Sequence, residues 1–453
     1  MTKDLTTGSP LKLIAYFAFP TYLGMLFQQF YSVVDTIIVG KLLGIGPLAG
    51  VGSTGSLNFM VLGFCMGLCS GFAIPIAQKF GAHQDAALRK FVANSAYLAV
   101  IFSAALPVPV CVFCRPILRL MNTPEDVVEY AYLYICIIFL GIPAAFLYNL
   151  LAGILRSLGD SKPPVYFLAM SSVLNIGLDL AFILVFRLGV AGASLATVLS
   201  QGVSGLACLV YMVKKFPILH MSREERQLDI RSCRALCFMG VPMGLQYSIT
   251  AIGSIFLQSA VNSLGSLYVA GVAAGSKLFQ LLGCPYDAMG ATMATYCGQN
   301  VGAVKLDRLG KGVRACSLLG LIYALIAFGG MLLFAPQGAM LFLDPTEPEL
   351  ATLVDLTAQY IRTLTAFFFP LALVNIVRFS IQGMGFSGLA ILAGVMEMIA
   401  RTAVGVIFVP MFGYTAACFA SPAAWVCADL FLIPACMGSI NRLRKIYEKE
   451  PEA

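Results

Sequence analysis

Long apolar runs separated by short polar segments dominate the chain. Each run is long enough to cross a bilayer, whose hydrocarbon core takes a helix of roughly 20 residues. The runs lack the short alternating segments that are typical of a membrane β-barrel, so they predict helices. The twelve predicted spans are residues 13–39, 50–78, 92–114, 130–155, 164–186, 190–213, 235–262, 270–297, 314–335, 353–383, 388–410 and 414–438.

Prolines mark the places where these helices are expected to bend. A proline inside a helix removes one backbone hydrogen bond and clashes with the preceding turn. Several predicted spans are also longer than a bilayer requires, so we expect tilted or kinked helices. The predicted kink sites are Pro20, Pro75, Pro143, Pro242, Pro285 and Pro370.

Composition agrees with an all-α membrane protein. Of the 453 residues, 59% are hydrophobic and 11% are charged, whereas a soluble domain has about 25% charged residues. The first apolar stretch is too long for the apolar region of a cleavable signal peptide, so we interpret it as the first span.

The basic residues predict the orientation of the spans. With the N-terminus in the cytoplasm, 21 of the 29 Lys and Arg residues fall on the cytoplasmic side and four on the other. Positively charged loops stay inside, so both termini are predicted to be cytoplasmic. This asymmetry also explains the net charge of +7 without a nucleic-acid partner.

A weak internal repeat relates the two halves at an offset of about 221 residues, estimated from motif order. Leu43-Gly44 returns as Leu264-Gly265, and Gln78 with Gly81 returns as Gln299 with Gly302. Six spans used twice give parallel repeats with a cavity between lobes. The predicted organisation is an N-terminal lobe over 1–213, a cytoplasmic linker over 214–234, a C-terminal lobe over 235–438 and a cytoplasmic tail over 439–453.

Two acidic residues inside spans of the first half are candidates for ion binding. An ionisable residue in a span is costly unless it is paired or hydrated. At a rise of ~1.5 Å per residue, Asp35 and Asp179 lie about 9 and 12 Å below the outer ends of their spans. Asn175 precedes Asp179 by one turn, and Thr197 lies at a similar depth, about 10 Å. We therefore expect a site for sodium or a proton formed by Asp35, Asn175, Asp179 and Thr197.

The polar residues of the second half are harder to assign. Glu397 and Arg401 are spaced i, i+4, which favours an ion pair along one helix face. Lys277 is expected to extend towards the membrane surface, and Asp429 has no evident partner in the sequence. The candidates to line a cavity are Gln28, Tyr31, Lys277, Asp287, Glu397 and Arg401.

Cysteine spacing does not indicate a metal centre. Cys111 and Cys114 form a single CxxC without a second pair, and the two histidines lie in distant polar loops. A zinc site needs more ligands at defined spacing. An intramembrane protease is disfavoured because Asp179 follows Gly177-Leu178 rather than a Gly-x-Gly motif. We expect no cofactor and no enzymatic activity.

Several motifs resemble the multidrug and toxic compound extrusion (MATE) family along nearly the whole chain. The first span carries Pro20, Gln28, Tyr31, Asp35 and Gly40. Gly81-Ala82 is mirrored by the sequence from Gly298 to Ala303. The turn between spans four and five contains Gly153, Arg156, Gly159 and Asp160.

The resemblance implies twelve helices in two six-helix lobes that form a V, with export by alternating access. Asn175-x-x-x-Asp179, with Asp35 and Thr197, resembles the cation site of the branch named for DNA-damage-inducible relatives, in which the proline matching Pro20 is associated with bending of the first helix. The other main branch has acids on spans seven and ten, where this chain has only Asp355, near the outer edge.

We expect a monomer in the bacterial inner membrane. It would export cationic or amphiphilic small molecules against inward sodium or proton flow. The alternative is a lipid or lipid-linked oligosaccharide flippase of the same superfamily, which would need a basic cavity for anionic headgroups.

Overall fold

A computed structural model of the chain describes residues 4–120, 125–343 and 349–449. Lys3 of the orientation count and the end of the predicted tail lie outside these residues. All regular elements in the described ranges are helical. The α-helices are α1 (Pro10–Leu43), α2 (Ile45–Ser53), α3 (Gly55–Gly81), α4 (Asp85–Ala105), α5 (Pro107–Leu120), α6 (Glu125–Leu140), α7 (Ile142–Ser157), α8 (Lys162–Leu180), α9 (Val190–Lys215), α10 (Ile230–Asn262), α11 (Ser266–Gly302), α12 (Asp307–Met340), α13 (Leu350–Ala366), α14 (Phe368–Gly383), α15 (Ser387–Ala403), α16 (Val409–Phe412) and α17 (Tyr414–Lys449).

These helices provide the predicted number of membrane spans. Within the described residues, ten helical segments are long and apolar enough to cross a membrane, and the number rises to 12 if each of two bent pairs is one span. The pairs are α6 with α7, bent by 47°, and α13 with α14, bent by 51°. The prediction of an all-α membrane protein is therefore confirmed. Both bends occur beside predicted kink sites, Pro143 and Pro370.

The chain divides into two compact units. Unit 1 contains residues Met1–Asp4 and Leu23–Ser248, and unit 2 contains Leu5–Tyr22 and Ile249–Ala453. Helix α1 therefore changes unit just after Pro20, and α10 changes unit six residues after Pro242, since Ser248 is its last residue in unit 1.

Close packing of glycines shapes unit 1. A Cβ atom added to Gly67 would lie 2.5 Å from the carbonyl oxygen of Met243, and one added to Gly71 would lie 2.4 Å from Cα of Gly240. Backbone cannot yield as a flexible side chain can, so α3 and α10 approach this closely because both carry glycine. Phe72, on the same helix, is fully buried in the hydrophobic core.

Aromatic residues fill the core of unit 2, where α11, α12, α14 and α17 meet. Tyr286 and Phe368 are fully buried and pack edge to face, with ring centroids 5.4 Å apart. Tyr323 contacts Tyr286 in the same manner at 5.3 Å. Rings in this arrangement add to the stability that burial alone provides.

The backbone repeats between the two halves. In each half a bent helix pair is followed by a helix that ends in a π-helical turn: Ala181–Val185 follows α8, and Val404–Phe408 follows α15. Left-handed backbone conformations recur in the same order, at Gly44 and Gly265, His83 and Val304, Gly159 and Gly385, and Gly189 and Gly413. These features support the internal repeat inferred from sequence.

Polar contacts hold the connection between α9 and α10 within unit 1. Arg89 donates hydrogen bonds to the Glu225 carboxylate, the shortest at 2.7 Å. Asn94 accepts a hydrogen bond from the backbone N–H of Asp229 at 2.8 Å. The Arg89 guanidinium and the hydrogen bonds from Ser222 lower the pKa of Glu225 to about 2. Hydrogen bonds and an ion pair therefore hold the connection against α4.

Candidate functional site

Asp35 and Asp179 meet inside unit 1. Asp35 lies on α1 and is 6% exposed, and Asp179 lies on α8 and is fully buried. Their carboxyl groups lie close enough to influence each other's charge, so a single proton can be shared between them. Oδ1 of Asp35 and both carboxylate oxygens of Asp179 are buried without a hydrogen-bond partner among the described residues.

Asn175 extends this group by one helical turn. Its side chain is 1% exposed, and neither its amide oxygen nor its amide nitrogen has a hydrogen-bond partner in the described structure. A buried amide normally satisfies both groups, because leaving them unpaired costs free energy. Unpaired oxygens on three neighbouring side chains are hard ligands of the kind that a small cation takes.

Thr197 occupies the neighbouring helix α9 but has a local partner. Its hydroxyl is half-buried and donates a hydrogen bond to the carbonyl oxygen of Ala193 at 3.1 Å. In the described ranges no hydrogen bond links Thr197 to either carboxylate. Asp35 and Asp179 thus lie close together, and Asn175 lies one turn from Asp179 on α8. Thr197 instead donates its proton within its own helix and retains lone pairs.

Uncharged polar side chains surround the acid pair. Tyr31, one turn before Asp35 on α1, lies within hydrogen-bonding range of the side chains of Gln28 and Gln201. Tyr134 on α6 is 7% exposed and lies near both acids. Sequence reasoning had selected Gln28 and Tyr31 but missed the other two. For Gln201 a signal existed, since it follows Thr197 by one turn.

Within the described ranges no basic side chain forms an ion pair with these two acids. Among the ion pairs formed by the described residues, none includes Asp35 or Asp179. Two carboxylates that share a desolvated site repel each other and have lost their hydration. The arrangement is therefore suited to take up a positive charge from solution.

Polar residues of unit 2 form a different kind of cluster. Glu397 lies on α15 and is 3% exposed. Arg401 donates a hydrogen bond to its Oε2 at 3.1 Å, which confirms the ion pair predicted from the i, i+4 spacing. Arg378 on α14 forms a second ion pair with the other carboxylate oxygen. Sequence reasoning missed Arg378 as a partner because it lies on a different helix.

The remaining candidates of unit 2 are placed separately. Lys277 and Asp287 both lie on α11 with exposed side chains. Asp429 on α17 is 7% exposed, and its Oδ1 has no hydrogen-bond partner among the described residues. Asp287 and Asp429 are each close enough to Arg378 to be attracted by its charge.

Multidentate metal centres are not found in the part of the chain that the structure describes. No group of three or more His, Cys, Asp or Glu side chains there has the geometry to hold a metal ion. Cys111 and Cys114 are both free thiols. If sodium binds to the acid pair, amide and water oxygens must therefore complete its coordination.

Known proteins resemble this chain in sequence and in fold. A sequence profile described as MatE matches residues 20–181 and 242–417. The chain is 33% identical over 304 residues to the "Probable multidrug resistance protein YpnP" of Bacillus subtilis, covering 66% of this chain and 67% of that protein. It is 29% identical over 354 residues to "Probable multidrug resistance protein YoeA" of the same organism, covering 77% and 76%.

The fold matches solved structures over almost its full length. A crystal structure of MATE in complex with MaL6 superposes with a TM-score of 0.90, at 24% identity, covering 98% of this chain and 100% of that one. The profile match falls in both halves of the chain and includes Asp35, Asp179 and Glu397. This chain therefore belongs to the MATE family of multi-pass membrane transporters.

Proposed function

We propose that this protein is a secondary active multidrug exporter. It would move cationic or amphiphilic small molecules out of the cell by alternating access, in exchange for inward flow of protons or sodium. The observation that carries the proposal is the buried pair Asp35 and Asp179, which has no basic partner among the described residues. The names of the two Bacillus relatives support multidrug export as the activity.

Cation uptake by the pair follows from its surroundings. A proton placed on one carboxylate removes the repulsion between the two groups and forms a hydrogen bond to the other. Sodium would instead bind the oxygens of Asp35, Asp179 and Asn175, with Thr197 able to contribute a lone pair. The unpaired buried oxygens fit either ion.

Coupling would arise because the two acids lie on different helices. Loading the pair lets α1 approach α8, and this movement would narrow the space for substrate. A ligand shifts such an equilibrium only through its different affinity for the two states. Cation and substrate should therefore each lower the affinity for the other by one common factor.

Pro20 is the proposed hinge for this movement. It lies within α1, half-buried, two residues before the last residue that α1 contributes to unit 2. Proline leaves one carbonyl of the preceding turn without its helical hydrogen bond, so bending there costs less than elsewhere. Asp35 lies about 22 Å further along the helix, where a small bend produces a large displacement.

Orientation, location and oligomeric state complete the proposal. The distribution of basic residues supports cytoplasmic termini, and the bacterial relatives suggest the cytoplasmic membrane. We propose that one chain suffices, because both ion and substrate sites would be built from its own helices. A flippase for anionic headgroups is less well supported, since the buried Arg378 and Arg401 are both engaged by Glu397.

Transport in proteoliposomes tests the proposed function. Purified protein would be reconstituted, and movement of ethidium, a flat organic cation, would be followed with a proton gradient or a sodium gradient imposed separately. One gradient should drive accumulation against the ethidium gradient, and the Asp35→Asn variant should not respond. Ethidium movement that is the same with and without either gradient would contradict coupled export.

A further inference from the structure

Asp429 is a buried acid that the proposed export mechanism does not use. It lies on α17 between Trp425, 3% exposed, and Leu432, fully buried. Its Oδ1 atom is buried and has no hydrogen-bond partner in the described structure. An ionised carboxylate in this position is costly, because it has lost its hydration and has no counterion in contact. A positive charge bound at this oxygen would remove that cost.

The arginines of unit 2 do not provide this charge directly. Arg378 forms its ion pair with Glu397, which also holds Arg401. Among the described residues Asp429 has no ion pair, and Arg378 acts on it only through a longer-range attraction. The binding position next to Asp429 Oδ1 is therefore not occupied by either guanidinium group.

The acids and arginines of unit 2 that have been described differ in number by one. Three carboxylates stand against two guanidinium groups, which leaves one negative charge when all are ionised. These groups lie on four helices, and Tyr360 of α13 is close to Arg401. They are Asp287 on α11, Arg378 on α14, Glu397 and Arg401 on α15, and Asp429 on α17.

Asp287 differs from Asp429 in its exposure. Its side chain is exposed, in contrast to Asp429, and both acids lie within the field of Arg378. Because Asp429 offers one unpaired oxygen rather than a cage of ligands, the cation best suited to it is a proton.

We propose that Asp429 is a proton-binding residue and that unit 2 thereby carries a cation site of its own. Its role in transport rests on the proposed function: the exporter would exchange one further proton in each cycle. Proton binding at Asp429 is independent of that function, because this site contains neither Asp35 nor Asp179.

Infrared spectroscopy of the purified protein tests proton binding without transport. The carboxylic-acid C=O stretching band would be recorded across a pH series in sodium-free buffer. Asp429→Asn should lose one component of this band, and Asp429→Glu should retain it at a shifted frequency. Asp355→Asn, which removes an exposed acid of the same unit, should leave the band unchanged.

Two results would overturn the inference. The first is a band in Asp429→Asn that matches the wild type at every pH. The second is a carboxylic-acid C=O band in Asp429→Glu in which no component shifts in frequency, although the size-exclusion profile and the unfolding temperature of the variant match the wild type. Loss of the wild-type component on adding sodium would support the site as one that both cations can enter.

Stoichiometry separates this inference from the proposed function. The number of protons exchanged per ethidium should fall by one in Asp429→Asn. This number would be obtained from the proton gradient at which net ethidium transport is zero. Transport that is uncoupled in the wild type would contradict the proposed function but leave the infrared result valid. A proton number unchanged in Asp429→Asn would contradict the transport role of this residue alone.

Discussion

The two units carry opposite electrostatic arrangements at corresponding positions. Asn175 and Asp179 lie one turn apart near the end of α8, just before its π-helical turn. Glu397 and Arg401 have the same spacing near the end of α15, again just before a π-helical turn. In unit 1 the acid meets a second acid, whereas in unit 2 the acid meets two arginines.

This difference shows how one repeated backbone can serve two purposes. A π-helical turn often accompanies a functional site, because it frees part of the helix backbone. An acid pair without a counterion changes its charge when a cation arrives. A carboxylate held between two guanidinium groups keeps its charge and ties two helices together. We infer that unit 1 responds to the ion, while the Glu397 group keeps α14 and α15 in place.

The largest expected effect comes from neutralising the acid pair. Asp35→Asn and Asp179→Asn should each reduce gradient-driven ethidium transport to the level of protein-free liposomes. Each variant should remain folded, because a neutral amide is easier to bury in a membrane than a carboxylate. Transport and the unfolding temperature would be measured on the same preparations, with Asp355→Asn as the control. Wild-type transport by either variant would show that the substituted residue is not needed for coupling.

In unit 2 the same type of substitution should act on stability instead. Glu397→Gln leaves Arg378 and Arg401 buried without their counterion, and breaking a buried ion pair in this way costs about 3–5 kcal/mol. The unfolding temperature in detergent should fall clearly below that of Asp355→Asn. An unchanged temperature would mean that Glu397 does not hold the two arginines, and the contrast between the units would disappear.

Glycine packing in unit 1 should produce a smaller loss. Gly71→Ala places a methyl group against the backbone of Gly240, where the added Cβ would be 2.4 Å from Cα. Overpacking of this kind costs about 1–3 kcal/mol. Gly52→Ala is the matched control, because nothing lies within 4 Å of its added Cβ. Equal unfolding temperatures for the two variants would show that α3 and α10 can separate without cost.

The smallest effect concerns the connection between α9 and α10. The pKa of Glu225 is lowered from 4.5 to about 2, mainly by Arg89. A lowered pKa means that the contact stabilises the folded state fully above pH 4.5 and loses this contribution as the pH falls towards 2. The protection of this connection against hydrogen exchange, corrected for the intrinsic exchange rate at each pH, should fall over that interval in the wild type. In Glu225→Gln this protection should already be low at neutral pH. Similar exchange in both proteins at pH 7 would exclude Glu225 as the fastening residue.

Hydropathy predicted most of the fold, because each span must satisfy its backbone and cover itself with apolar side chains. The bends near Pro143 and Pro370 followed from the same local reasoning. Contacts between distant segments could not be predicted from local sequence patterns. The change of unit within α1 and α10 depends on tertiary packing that no local pattern encodes.

In the candidate site, relations along one helix could be predicted, whereas contacts between helices could not. Spacing of four residues on one helix linked Asn175 to Asp179 and Glu397 to Arg401. The structure confirms the second link as an ion pair and places the first two residues one turn apart on α8. Arg378 reaches Glu397 from 19 residues away on another helix, and Tyr134 approaches the acids from α6. Such partners are determined by helix packing, so the sequence alone could not identify them.

Competition between cation and substrate tests the central claim most directly. The affinity of the purified protein for ethidium would be measured by fluorescence anisotropy over a range of pH without sodium, and over a range of sodium at constant pH. Wild-type affinity should fall as one of the two cations increases, and it should stay constant in Asp35→Asn. An affinity that stays constant for the wild type across both ranges would contradict coupling through Asp35 and Asp179.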